Sequence, residues 1–369
     1  MKIGFIKKKY SPYGGGEIYL DTLIKNLKED YHEIHIFSSQ WKSTEGVKIH
    51  KINSVELNSA LSALSFNYNA AKAIGDIKPD CVVSFERTTC GDIYRAGDGC
   101  HKEWLEIRKK VSSKLKNFSF VLNPLHRTLL GIEKKIFKKT MTIVANSNMV
   151  KKQIVKNYNV PVSRIHVIYN GVDLERFRPE LRLKWRAEIR KKNAIPEDVP
   201  LVIFVGSGYE RKGLMTLIKS IGDVDKSLRL LVIGRGDVKK YQNIANSYKL
   251  ANRILFLGPQ TDIEKFYATS DIFVLPTLYD PFSNATLEAM ASGLPVITSK
   301  NNGAAELVEQ EKEGFILGDM LDDKEVTEKI RAVLDNSTAM KKNARKKAEK
   351  FHIGTAASKF KKLIKVSMN

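Results

Sequence analysis

The chain has 369 residues, 43% of them apolar, and 62 Lys and Arg against 41 Asp and Glu give it a formal charge of +21. That length with that apolar content excludes a disordered chain and predicts two or three domains, each able to bury a core. Three cysteines, Cys81, Cys90 and Cys100, are too few for a disulfide framework and wrongly spaced for zinc, so a reducing compartment is expected.

The first β-rich run, 2–6, stops at Lys7, Lys8 and Lys9, too short for a secretory signal, and no later span is long enough to cross a bilayer. A cytoplasmic protein, soluble or peripheral, is expected. After that run comes Tyr13-Gly14-Gly15-Gly16-Glu17 and then a helical pattern. Glycine amides at a helix start can approach an anion closely, although the turn has neither the full dinucleotide spacing nor the Lys-Ser/Thr of a P-loop. Further strands are expected at 33–37, 81–85, 142–145 and 164–168, separated by helical patterns.

Between them, residues 101–140 hold eleven Lys or Arg against three Glu. Trp104, Ile107, Val111, Leu115, Phe118 and Leu122 recur every three or four positions, with Lys109, Lys110, Lys114 and Lys116 mainly off that stripe and Pro124 at its expected end. The pattern predicts an amphipathic basic helix able to lie on an anionic membrane, and a core-facing helix would have the same pattern. The polar stretch 173–200, with Pro179, Pro196 and Pro200, reads as a domain boundary.

In the second half, strands are expected at 201–205, 228–233, 254–257, 272–275, 295–298 and 315–317. The first of these ends in Val205-Gly206-Ser207-Gly208-Tyr209-Glu210-Arg211-Lys212-Gly213. Arg211 and Lys212 sit where a strand hands over to a helix, a place suited to gripping a diphosphate. Asp223-Val224-Asp225 has the wording of a metal-binding acidic triplet but falls after a helix, so no metal site is expected. Near the fourth strand comes Asp280-Pro281-Phe282-Ser283-Asn284-Ala285-Thr286-Leu287-Glu288, then Ala289-Met290-Ala291-Ser292-Gly293-Leu294-Pro295. Its two carboxylates can accept hydrogen bonds from sugar and ribose hydroxyls, and the amides of Asn284, Ala285 and Thr286 can face phosphate. The tail, 341–369, carries ten Lys or Arg against one Glu, so with 101–140 it accounts for nearly all the excess charge.

Strands alternating with helices predict an α/β chain: two doubly wound Rossmann-like domains, 1–175 and 176–350, facing across a cleft where the strand ends make the site. Together with His166-Val167-Ile168-Tyr169-Asn170-Gly171-Val172-Asp173, the acidic pair with seven residues between its members resembles the GT-B glycosyltransferases of retaining family 4. Ile93-Tyr94-Arg95-Ala96-Gly97-Asp98-Gly99-Cys100 and the 206–213 string are most similar to the branch of lipopolysaccharide core α-1,3-glucosyltransferases, the WaaG type.

The resemblance implies metal-free transfer of a hexose, glucose from UDP-glucose, onto a lipopolysaccharide core or related glycolipid at the cytoplasmic membrane face, with the nucleotide sugar as co-substrate and no cofactor. It implies Asp98 as the catalytic position; Gly15, Gly16, Arg211, Lys212, Asp280, Asn284, Ala285, Thr286 and Glu288 as donor ligands; and Lys102, Trp104, Arg108, Lys109, Lys110 and Lys114 toward acceptor or membrane. The segment 351–368 is helical in pattern, and the resemblance implies that this C-terminal helix, 351–369, packs back on the first domain. Asp280 stands where the family usually has glutamate, Ser207 where most members have arginine, and Pro281 and Ser283 where glycines are common. Alternatives are another donor with a capsular or soluble acceptor, a sugar-nucleotide epimerase, or a basic membrane- or nucleic-acid-binding protein. No nucleic-acid motif is present, so that partner is not expected.

Overall fold

The computed structural model describes residues 1–10, 15–28, 32–112, 120 and 122–368. The chain divides into two compact units, Met1–Asn170 with Ile353–Asn369, and Gly171–His352. In the first unit β1 (Lys2–Ile6), β2 (Glu33–Ser38), β3 (Val47–Lys51), β4 (Cys81–Ser84), β5 (Ile93–Ala96), β6 (Thr142–Ala145) and β7 (Ile165–Val167) form one sheet, in the order β3-β2-β1-β4-β5-β6-β7. Every pairing in it is parallel. In the second, β8 (Leu201–Val205), β9 (Arg229–Ile233), β10 (Ile254–Gly258), β11 (Ile272–Leu275), β12 (Val296–Ser299) and β13 (Gly314–Leu317) form a parallel sheet ordered β10-β9-β8-β11-β12-β13. Central strands β8 and β11 read as unbroken apolar runs, and with β12 they are buried along almost their whole length, as parallel strands covered on both faces must be.

The order reverses between β1 and β4 and again between β8 and β11, and loops leaving the carboxyl ends of strands at such a reversal line a natural ligand crevice. Two strands fall outside those expected. β3 is an edge strand whose short Val47-Lys48-Ile49 alternation is outweighed by its polar residues, and β5 is four residues long with an arginine in it, so neither offers the apolar run by which the other strands are read.

The helix expected over 104–122 is shorter. It spans His101–Val111 and stops at Ser112, whose backbone is extended. Pro124 does not end it but occupies the first turn of the next helix, Pro124–Lys139, capped by Asn123. Leu115, Phe118, Lys114 and Lys116 lie outside the described residues, as do Tyr13 and Gly14. The 173–200 stretch contains the helix Leu181–Lys192 of the second unit, and Asp271, just before β11, ties it down by accepting from Arg182, Arg186 and Arg190.

Most tail charge is a solvated face. Helix Ile353–Met368 buries Ala357, Phe360 and Ile364 in the first unit while Lys359, Lys362 and Lys365 face water, and Tyr19 Oη donates to the Ala356 carbonyl across the contact at 3.0 Å. Among the described residues no helix is long and apolar enough to cross a membrane.

Candidate active site

In the second unit the 206–213 loop leaves β8 and the 276–283 loop leaves β11, side by side at the sheet's reversal. The Arg211 carbonyl accepts from the Leu278 amide at 2.8 Å and from Thr277 Oγ1 at 3.0 Å, and Arg211 Nη1 donates to the Tyr279 carbonyl at 2.8 Å. Gly213 has φ +77°, and a Cβ there would stand 1.9 Å from the Pro276 carbonyl oxygen. Only glycine allows so close an approach of the two loops.

Their meeting brings Lys212 Nζ onto Asp280 Oδ2 in an ion pair with both side chains buried. Burial pushes the Lys212 ammonium below the ordinary lysine range, opposed by Asp280 and reinforced by Arg211. Read from sequence, Lys212 belongs with the diphosphate and Asp280 with the sugar; folded, each is the other's partner.

Helix Asn284–Ala291 follows, and its cap is built from side chains. Ser283 Oγ accepts from the Thr286 amide at 3.3 Å, so of the three amides expected to face phosphate, that of Thr286 serves its own helix. Buried Asn302 uses all four of its bonding positions here. Its Oδ1 accepts from the Ser283 and Ala304 amides at 3.1 and 3.0 Å, and its Nδ2 donates to Thr286 Oγ1 and Thr298 Oγ1 at 3.0 and 2.9 Å. Glu288, half-buried on the helix, accepts from Tyr267 Oη at 3.1 Å. Burial raises its carboxyl above the ordinary range, and the tyrosine pulls it back in part. Asn284, Ala285 and Glu288 therefore share one short helix beside the Lys212–Asp280 pair. Ser207, exposed, accepts from the Arg235 amide at 3.1 Å.

In the first unit Asp98 is exposed in the turn after β5. The turn is shaped around buried Arg95: a Cβ at Gly97 would lie 2.3 Å from Arg95 Nη1, while Arg95 Nη2 donates to Asn170 Oδ1 at 2.6 Å. Arg87 reaches the turn with Nη1 3.5 Å from Asp98 Oδ2, and its Nε lies 3.5 Å from Glu133 Oε1. Glu133 is fully buried, on helix Pro124–Lys139. It accepts from the His101 amide at 2.8 Å, the Lys102 amide at 3.3 Å and Tyr158 Oη at 2.6 Å, capping the basic helix with a carboxylate. Sequence reading passed it over, because one Glu within a lysine-rich amphipathic helix looks like surface charge.

His101 Nε2 lies 3.2 Å from His126 Nδ1. Trp104, Ile107 and Val111 are half-buried along one edge of helix His101–Val111; Lys102 and Lys110 are exposed, Lys109 pairs with Glu106, and Arg108 stacks over Phe120 at 4.1 Å. Gly15 and Gly16 open the helix Gly15–Lys28, whose start follows β1. Asp223 closes a helix and Asp225 caps the turn to Ser227, and among the described residues no group of three or more His, Cys, Asp or Glu is placed to hold a metal.

Residues 186–351 match the family described as Glycosyl transferases group 1, and residues 13–176 the one described as Glycosyltransferase Family 4. An uncharacterised glycosyltransferase of Methanocaldococcus jannaschii is 30% identical over 84% of this chain and 83% of its own. The lipopolysaccharide glucosyltransferase WaaG of Escherichia coli K12 is 24% identical over 95% and 94%. The crystal structure of WaaG matches with a TM-score of 0.87 at 20% identity over 98% of this chain and 99% of that one. HepE of Anabaena, in complex with UDP and glucose, matches at 0.75 and 19% identity over 99% and 100%.

Proposed function

The chain belongs to the GT-B glycosyltransferases of family 4, and from that premise we propose that it transfers glucose from UDP-glucose, with retention of configuration and without a metal, onto a lipopolysaccharide core or related glycolipid at the cytoplasmic membrane face. The observation that carries the proposal is the Arg211, Lys212, Asp280 cluster at the reversal of the second sheet, with Glu288 on the adjoining helix. WaaG as a lipopolysaccharide glucosyltransferase and HepE with UDP and glucose bound support the choice of donor.

In this scheme Arg211 and Lys212 take the diphosphate and stabilise the negative charge that grows as the glycosidic C–O bond breaks, the task a divalent ion performs in other transferases. Asp280 holds the Lys212 ammonium in place and accepts from sugar hydroxyls, while Glu288 accepts from the ribose diol. The new bond forms on the face the diphosphate leaves, so its departing oxygen can take the acceptor proton. Asp98 then orients the acceptor or stabilises positive charge at the anomeric carbon, steadied by Arg87. The half-buried edge Trp104, Ile107 and Val111, flanked by Lys102, Lys109 and Lys110, meets the anionic membrane.

The test is transfer from a panel of nucleotide sugars, with and without chelator, the anomeric configuration being read by NMR. UDP-glucose is expected to be the best donor, the product to keep the α configuration, and Lys212→Ala and Glu288→Ala each to lower turnover about a hundredfold or more. An inverted product, or near-normal turnover in either variant, sinks the assignment.

A further inference from the structure

One large concavity of the first unit shares only Lys102 with the residues assigned above. Between helices His101–Val111, Pro124–Lys139 and Asn148–Tyr158 and the turn into β7 runs a groove of about 610 Å³. Helix Pro124–Lys139 leads into β6, and the turn through Arg164 leads into β7, so the groove reaches the amino ends of these strands. Asp98, by contrast, lies past the carboxyl end of β5. Its volume is in the range of small-molecule sites.

Four cations line it, Lys102, Lys134, Lys138 and Arg164, and no carboxylate does. Two are anchored to backbone carbonyls: Arg164 Nη2 donates to the Phe137 carbonyl at 3.1 Å and to that of Thr140, and Lys102 Nζ to that of Asn157 at 3.4 Å. Lys134 and Lys138 are exposed and have no ion-pair partner among the described residues. Four positions apart on one helix, they repel each other at a cost that an anion would relieve. Leu130, Phe137, Val160 and Pro161 supply an apolar floor.

From this combination we infer that the groove is a binding site for an organic phosphate: the phosphate is held by Lys134 and Lys138 with Lys102 and Arg164 behind them, and an apolar body rests on the floor. A doubly charged phosphate answers several fixed cations at once, and the floor rewards an apolar substituent. The same chemistry arises from a phospholipid headgroup or from a soluble phosphate ester.

Binding of octyl phosphate, below its micellar concentration, to the full chain by calorimetry tests the site, alongside co-flotation with phosphatidylcholine vesicles containing phosphatidic acid. Lys134→Ser with Lys138→Ser is compared with Lys135→Ser with Lys139→Ser, which removes the same charge from the same helix outside the groove. The first pair is expected to weaken octyl phosphate about tenfold, and the second to leave it within about twofold. If the first pair also weakens flotation more than the second does, the ligand is a lipid headgroup; if flotation responds equally to both, it is a soluble ester. Absence of octyl phosphate binding to the unaltered chain, or equal weakening by both pairs, overturns the site and leaves only a diffuse positive field. Neither measurement depends on transfer, so the outcome is separate from that of the donor panel.

Discussion

His101 sits buried beside His126 and near the Arg87 guanidinium, and desolvation, with those neighbours, pushes its pKa down to about 3. Below pH 6.5 the unfolded chain takes up a proton that the folded chain refuses, so stability present above that pH is lost as pH falls toward 3. Between pH 7.5 and pH 5 the loss is expected to be on the order of 2 kcal/mol. Glu288, raised by burial, works the other way, so the comparison that isolates His101 is urea denaturation of the native chain and of His101→Gln across that range. The variant is expected to show a clearly shallower decline. What the sequence allowed at this scale was the type of residue and its local setting: Arg211, Lys212, Asp280 and Glu288 each stand in a loop or helix suited to ligand. The Lys212–Asp280 pairing was not legible, because the two are 68 positions apart and only the sheet order brings their loops together. Asn302 and Glu133 escaped for the same reason. Their importance lies in what they hold, and each holds groups on other elements.

Among the elements, the turn at Gly213 is the most exacting. Alanine there would need both a left-handed backbone and space that the Pro276 carbonyl already fills. Gly213→Ala is expected to cost about 3 kcal/mol and, by parting the two loops, to weaken UDP binding as well, both readable by denaturation and calorimetry. Strands made wholly or mostly of apolar residues, such as 142–145, 201–205 and 272–275, could be read directly from composition, and their observed bounds agree. Helix bounds were harder. The stripe beginning at Trp104 keeps its period beyond Val111, yet the backbone turns out of the helix at Ser112, since periodicity records which residues prefer burial and says little about where the backbone stops.

For the whole molecule, alternation of strands and helices was enough to read two doubly wound units, and the amphipathic pattern near the end of the chain was enough to read a helix. Its docking on the first unit came from resemblance, because periodicity does not tell a helix which sheet to cover. That docking is substantial: Phe360 packs against Tyr19 and Phe85, and Ala357 and Ile364 are fully buried. Removing residues 353–369 is expected to destabilise the first unit by about 5 kcal/mol while leaving the second unit's transition in place, visible by calorimetry as the fall of one of two melting events.

The same arrangement sets an order of assembly. The second unit is one uninterrupted stretch and can close as soon as its own residues leave the ribosome, but the first, although synthesised earlier, keeps an open seam beside Tyr19 until the segment beginning at Ile353 arrives to fill it. The part made first is thus the part finished last, and during that interval it is the one most dependent on protection from aggregation.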